Sequence, residues 1–129
     1  MVRKATCCCK CTTVIVDGEP DINGICHCGN CQKRTGSAFG WSAYFAENKI
    51  VEKSGNFSRY PIQGENEQER FFCKLCGTTV FWVSKSFSGM IGVAGGCFVD
   101  DPLPSPNVTV SNDGQHSWVT LPPQWKKSL

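Results

Sequence analysis

Ten cysteines in a chain of 129 residues carry most of its chemical potential, and they fall into clusters. Cys7, Cys8, Cys9 and Cys11 come first, then Cys26, Cys28 and Cys31, then Cys73 and Cys76, with Cys97 alone. Cysteines one or two residues apart chelate one ion more readily than they form a local disulfide, whose Cα atoms must meet a narrow separation. The spacing therefore points to metal binding, and clustered thiolates suit zinc.

A structural zinc fills its tetrahedron with four protein ligands, whereas a catalytic zinc keeps one position open. Cys9 and Cys11 together with Cys73 and Cys76 form a closed set, which would staple an N-terminal strand to a central hairpin. The register of the first cluster has an alternative. In an extended strand Cys7, Cys9 and Cys11 share one face and Cys8 lies on the other. Cys7 could then substitute, but Cys11, placed directly before a β-branched run, is taken as the fixed end.

Cys26, Cys28 and Cys31 supply three sulfurs within Cys26-His27-Cys28-Gly29-Asn30-Cys31, with no obvious fourth cysteine. Three thiolates on Zn²⁺ leave a net negative site with one open position, suited to receiving and deprotonating an incoming thiol. These three residues are the candidate catalytic set. The competing reading closes this second site with Cys97, His27 or Cys8, so that both zincs are structural. His27 lies between two ligands, where its ring would point away from the metal toward a supporting or surface position. Cys97, after Gly95-Gly96, reads as a buried inert thiol.

The elements that must position these clusters are short strands. Turn residues recur at Asp17-Gly18, Asn23-Gly24, Ser54-Gly55, Gly64, Gly95-Gly96 and Asp113-Gly114, and helical periodicity is scarce. Residues 12–16 form a β-branched run, and residues 39–45 alternate bulky with small side chains, as a strand with one buried face does. Residues 69–73 and 78–83 flank Cys73-Lys74-Leu75-Cys76-Gly77 as two strands around a metal-gripping turn. Residues 90–94 read as another strand, and the proline-rich stretch 100–106 as a loop. One or two helical turns are expected near Asn30 to Thr35. Trp41, Tyr44, Phe45, Phe71, Phe72, Phe81 and Trp82 are expected in the core, with Phe39 or Trp41 as the alternative lining of a substrate pocket.

Length allows one domain, residues 1–129, built around one modest core. A formal net charge of +2, close to neutral, gives no basis for nucleic-acid binding. No apolar run approaches the roughly 20 residues that span a bilayer, so no membrane partner is expected. The opening residues lack a secretory pattern, which places the chain in the cytoplasm, where thiols stay reduced and available to metal.

Four stretches together resemble the glutathione-dependent formaldehyde-activating enzymes, a family that shares its domain with centromere protein V. They are Cys9-Lys10-Cys11 before a strand, Cys26 to Cys31 running into Arg34-Thr35-Gly36-Ser37-Ala38-Phe39, Phe71 to Thr78, and Gly96 to Pro102. The resemblance implies a mainly β fold of the β-tent (Mss4-like) kind with zinc-stapled hairpins. It also implies a structural zinc on Cys9, Cys11, Cys73 and Cys76 and a catalytic zinc on Cys26, Cys28 and Cys31. The implied activity is that of a carbon–sulfur lyase, the condensation of glutathione with formaldehyde to S-hydroxymethylglutathione or its reverse. Lys33 and Arg34 could then neutralise a carboxylate of a glutathione-like thiol. Three positions depart from the family pattern: Thr12 where glycine usually follows the first Cys-x-Cys, Cys97 where a small residue is usual, and Asn107 where histidine is common. A non-catalytic, zinc-stabilised module that docks a protein partner is the alternative function.

Overall fold

The β-branched run after the first cysteines forms β2 (Thr12–Asp17), where Thr12, Val14 and Val16 are buried and the residues between them are not. That alternation is what a strand with one face on a core requires. β2 pairs with β1 (Val2–Thr6) on one side and β5 (Ile50–Gly55) on the other, both antiparallel, giving a three-stranded sheet. The computed structural model describes residues 1–64 and 67–129.

The second sheet has seven strands in the order β10-β3-β4-β9-β8-β7-β6. Its members are β3 (Ile22–Cys26), β4 (Gly40–Ala46), β6 (Phe57–Ile62), β7 (Gln68–Cys73), β8 (Thr79–Ser84), β9 (Met90–Ala94) and β10 (Val108–Ser111). All pairings are antiparallel except that of β10 with β3. A helix of seven residues, α1 (Gly29–Thr35), joins β3 to β4, and the expected helix near Asn30 to Thr35 lies within it. The mainly β, two-sheet architecture is the one expected. The stretch 100–106 has no regular secondary structure, as its prolines require.

β4 is buried on both faces because each face has its own work. Trp41, Ala43 and Phe45 pack with Val14, Val16, Ile91, Val93 and Phe98 in the core between the sheets. Ser42 and Tyr44, on the opposite face, line a cavity. β8 and β7 divide in the same way, sending Phe81 and Phe71 to the core and Trp82, Ser84, Gln68 and Arg70 to the cavity. Burying one aromatic side chain in the core contributes about 1.5–3 kcal/mol, so this face anchors the sheet while the other stays free for chemistry.

The sheets are joined at Gly55-Asn56. The Asn56 N–H donates to the Cys11 carbonyl (3.2 Å), and the Asn56 carbonyl accepts from the Lys74 N–H (2.9 Å). Gly55 has φ 114°, and a Cβ there would collide with the Cys11 carbonyl, so only glycine lets the chain change sheets at this point. One segment thereby ties together the turns that carry the first and third cysteine clusters.

Candidate metal centres and the adjoining cavity

All ten cysteines are free thiols. The Sγ atoms of Cys7, Cys9, Cys73 and Cys76 lie within 4.8 Å of one another. Cys9 Sγ is 3.7 Å from Cys7 Sγ and 3.6 Å from Cys73 Sγ. A tetrahedron of sulfurs about 2.3 Å from zinc has edges of about 3.8 Å, so the donor set fits zinc in both number and spacing.

The structure brings Cys9, Cys73 and Cys76 together as expected, but Cys7 stands in the place expected for Cys11. The reason is local. The sequence reading runs an extended strand through the cluster, whereas the chain turns there: Lys10 N–H donates to the Cys7 carbonyl (3.0 Å), and Cys7 N–H to the Thr12 carbonyl (3.1 Å). Lys10 sits at φ 68°, the one non-glycine residue with positive φ among those described. Gly77, following Cys76, sits at φ 80°. The two turns are thus built alike, each presenting two sulfurs and then reversing through a left-handed residue. Backbone N–H groups point at the sulfurs, from Thr12 to Cys7 (3.2 Å) and from Leu75 to Cys73 (3.4 Å). The Thr78 hydroxyl helps pull the Cys76 thiol down to about 5, favouring its thiolate, the form that binds metal.

The second set, Cys26, Cys28 and Cys31, also has its sulfurs within 4.8 Å, and no fourth His, Cys, Asp or Glu joins it among the described residues. Cys26 ends β3, Cys28 caps α1 by accepting the Cys31 N–H (3.4 Å), and Cys31 lies in the first helical turn. The cap and the strand end hold the three sulfurs in one corner. Hydrogen bonds from Cys26 and Cys31 pull the Cys28 thiol down to about 2, and the same contacts push Cys26 up. A divalent ion would displace the protons these thiols share.

His27 lies outside the sulfur set, as expected, and of the supporting and surface positions open to it the structure gives a fully buried one. Its ring meets Phe39 edge-on at 5.8 Å, and burial lowers its pKa, so it sits neutral with neither ring nitrogen hydrogen-bonded. Cys97 is half-buried, its thiol pushed up to about 11 by burial, and it lies outside both sulfur sets.

The three-cysteine set opens on a cavity of about 320 Å³. Tyr44, Trp82 and Phe87 form its aromatic wall, and Arg34 and Arg70 its cationic wall. Trp82 donates its indole N–H to the Tyr44 hydroxyl (3.1 Å), Tyr44 stacks on Phe87 at 4.3 Å, and burial pushes the Tyr44 phenol up to about 12. Arg34 lies over Trp82, 4.4 Å from the ring centroid. Arg70, only 7% exposed, donates to the Gln68 side chain (3.2 Å) and the Asn30 carbonyl (3.3 Å). Phe39 and Trp41, the aromatics offered as pocket lining, are not part of this wall, and Lys33 points into solvent. Tyr44 and Trp82 are buried, as expected of core aromatics, in a small cluster with Ala94, and they also line the cavity.

Residues 2–118 match the family described as glutathione-dependent formaldehyde-activating enzyme. The chain belongs to that family. The glycine that the resemblance leads one to expect at Thr12, after Cys9-Lys10-Cys11, falls instead at Lys10, the positive-φ residue that follows Cys7-Cys8-Cys9. Among solved structures the chain is similar to a Rhodobacter sphaeroides protein determined by structural genomics. The match has a TM-score of 0.58 and 19% identity, over 74% of this chain and 87% of that one, and shows a shared fold. No curated protein matches the sequence. No helix among the described residues is long and apolar enough to cross a membrane.

Proposed function

We propose that the protein is a zinc-dependent carbon–sulfur lyase that makes or cleaves an S-hydroxymethyl thiol, with glutathione or a similar small thiol as substrate. The observation that supports this is the three-sulfur set facing a cavity rather than a fourth protein ligand. In this reading Cys7, Cys9, Cys73 and Cys76 hold a structural zinc, and Cys26, Cys28 and Cys31 hold the catalytic one. Zinc at the second site would supply a Lewis-acid seat that favours the thiolate form of the substrate. In the forward direction the thiolate sulfur attacks the carbon of formaldehyde, the S–C bond forms, and the C=O pair moves to oxygen, which takes up the proton released by the thiol. Tyr44 is placed to supply that proton or hold the oxygen. Its hydroxyl accepts from Trp82, which leaves its own hydrogen free, and burial keeps it protonated. Such thiol chemistry suits the reducing cytoplasm.

The test is zinc content and thiol binding on anaerobically purified protein, native and Cys28→Ser, with ¹³C-formaldehyde and glutathione followed by NMR. Two zincs falling to one in the variant, with adduct formation accelerated only by the native protein, is the expected result. One zinc in both, with no thiol binding and no acceleration, would leave the alternative of a protein-docking module and overturn the enzyme.

A further inference from the structure

Gln32 directly follows the last member of the three-cysteine set, and both polar atoms of its side chain have partners outside their own helix. Its amide nitrogen donates to the His27 carbonyl (2.8 Å) and to the Gly114 carbonyl (3.0 Å), and its amide oxygen lies 3.0 Å from His116 Nε2. Carbonyls only accept, so the amide nitrogen faces them and the oxygen receives the proton of His116 Nε2. The first of these carbonyls belongs to the residue between Cys26 and Cys28.

That residue is also held from its other side. His27 N–H donates to the carbonyl of Ser111 (3.0 Å), the last residue of β10. With both backbone groups of His27 engaged, the peptide planes on either side of it are fixed, and the plane shared with Cys28 sets the direction in which that side chain leaves the backbone. Residues 112–116 are thereby fastened across the metal-binding loop. Gly114 sits at φ 81°, and a Cβ there would come within 2.8 Å of the His27 carbonyl oxygen, so the close approach needs glycine. Ser111 and Asp113 line the cavity from this segment, and Asn30, Cys31 and Arg34 line it from the helix. Gln32 joins the two walls.

The chemistry of position 32 is demanding. A glutamate of the same shape would turn an acceptor toward two carbonyls, and a methionine would leave those carbonyls and His116 without their partner. A lysine could serve the carbonyls but could not receive the His116 proton. We infer that Gln32 is a positioning residue for the thiol site, latching residues 112–116 onto the metal-binding loop so that the cavity wall and the Cys28 sulfur are set as one unit. This inference rests on the thiol site proposed above and gives Gln32 no contact with substrate. Without the latch the ligand must itself order the wall as it binds, at a cost in affinity.

The experiment compares native protein with Gln32→Met, Gln32→Glu and Gln32→Lys. A fourth variant, Gln115→Met, removes another side-chain hydrogen bond of the same segment, to the Val119 carbonyl (3.1 Å), without touching the metal-binding loop. Each is loaded with cobalt, whose visible absorption reports the geometry of its sulfurs, and titrated with glutathione. Gln32→Met and Gln32→Glu should keep two metals per chain, shift the cobalt bands before any thiol is added, and bind glutathione about tenfold more weakly, the worth of one hydrogen bond. Gln32→Lys should fall between these variants and native protein, and Gln115→Met should match native protein. Native bands and native affinity in both Gln32→Met and Gln32→Glu would overturn the latch while leaving the thiol site standing. Equal losses in Gln115→Met would also overturn it, since any disturbance of the segment would then suffice. One measurement needs no variant to fold: in native protein the Gln32 side-chain amide protons should exchange with solvent more slowly than those of the exposed Gln124, and equal rates would overturn the latch. A native cobalt spectrum that glutathione leaves unchanged would overturn the thiol site and this inference together.

Discussion

The Arg34 guanidinium carbon lies 4.4 Å from the centroid of the Trp82 ring, so a charge from the helix is seated on an aromatic from the sheet. Cation–π contacts of this kind contribute about 0.5–2 kcal/mol depending on desolvation. Trp82 also donates to Tyr44, so one side chain orients both polar groups of the wall. Trp82→Phe keeps a ring under Arg34 but loses the indole donor, leaving Tyr44 unheld. Thermal unfolding should show a loss of about 1–2 kcal/mol from the smaller buried ring and missing hydrogen bond. Zinc content should stay at the native value, because no sulfur has moved.

Gly40 is the floor on which this arrangement rests. A Cβ built there would run into Arg34 Nη2 and lie 3.3 Å from Cys31 Cβ, so Gly40→Ala pushes directly on helix α1. The helix carries Cys31 and is capped by Cys28, and it has only seven residues to resist the push. Elemental analysis of the alanine variant should show zinc lost from the three-cysteine site before the four-cysteine site. Equal retention at both sites would show that the helix adjusts without disturbing its sulfurs.

The sequence displays this fold unevenly. β2 and β9 are legible because alternating or β-branched residues in a run have one structural meaning, and Cys73-Lys74-Leu75-Cys76-Gly77 announces its own turn. β1, β5 and β6 carry exposed and polar residues on their outer faces, so their pattern is weak, and β10 depends on a parallel partner distant in sequence. The three-cysteine site is contained in one segment and could be read directly. The four-cysteine site depends on where the first hairpin reverses. Four cysteines in five positions hide that point, and the mark of the turn is Lys10 in a conformation usually given to glycine. Of the cavity wall only Arg34, three residues after Cys31, was legible, since Tyr44, Arg70 and Trp82 come from three further elements that only the sheet order brings together.

The register of the first cluster is open to direct test with Cys7→Ser and Cys11→Ser. Cys7 is buried against the core, its sulfur 3.7 Å from Cys9, while Cys11 is exposed and outside the four-sulfur set. Cys7→Ser should cost one zinc per chain and loosen the link between the sheets, seen as a lower unfolding temperature. Structural zinc contributes folding free energy directly, so the drop should be large or the variant should fail to accumulate in folded form. Cys11→Ser should keep both zincs and melt near the native temperature. The opposite pattern would return Cys11 to the site and remove Cys7 from it.

Tyr44 separates proton transfer from metal binding. Its hydroxyl is the only phenol in the cavity among the described residues, and Tyr44→Phe preserves the ring stacked on Phe87 at 4.3 Å. The fold and the zinc content should therefore survive, apart from about 1–3 kcal/mol for the Trp82 N–H left without its acceptor. The rate of adduct formation should fall by about 10²–10⁴, the usual contribution of a placed proton donor. The pH dependence has a definite sign. A phenol raised to about 12 keeps its proton through the neutral and mildly alkaline range, so Tyr44 imposes no fall in native activity as the pH rises from 7 to 10. Any alkaline loss found in that range and shared by Tyr44→Phe comes from another group. A loss that disappears in the variant would mean that Tyr44 ionises there and does not serve as the neutral donor. Steady-state rates of native protein and Tyr44→Phe across that range, with zinc measured in each sample, separate these outcomes.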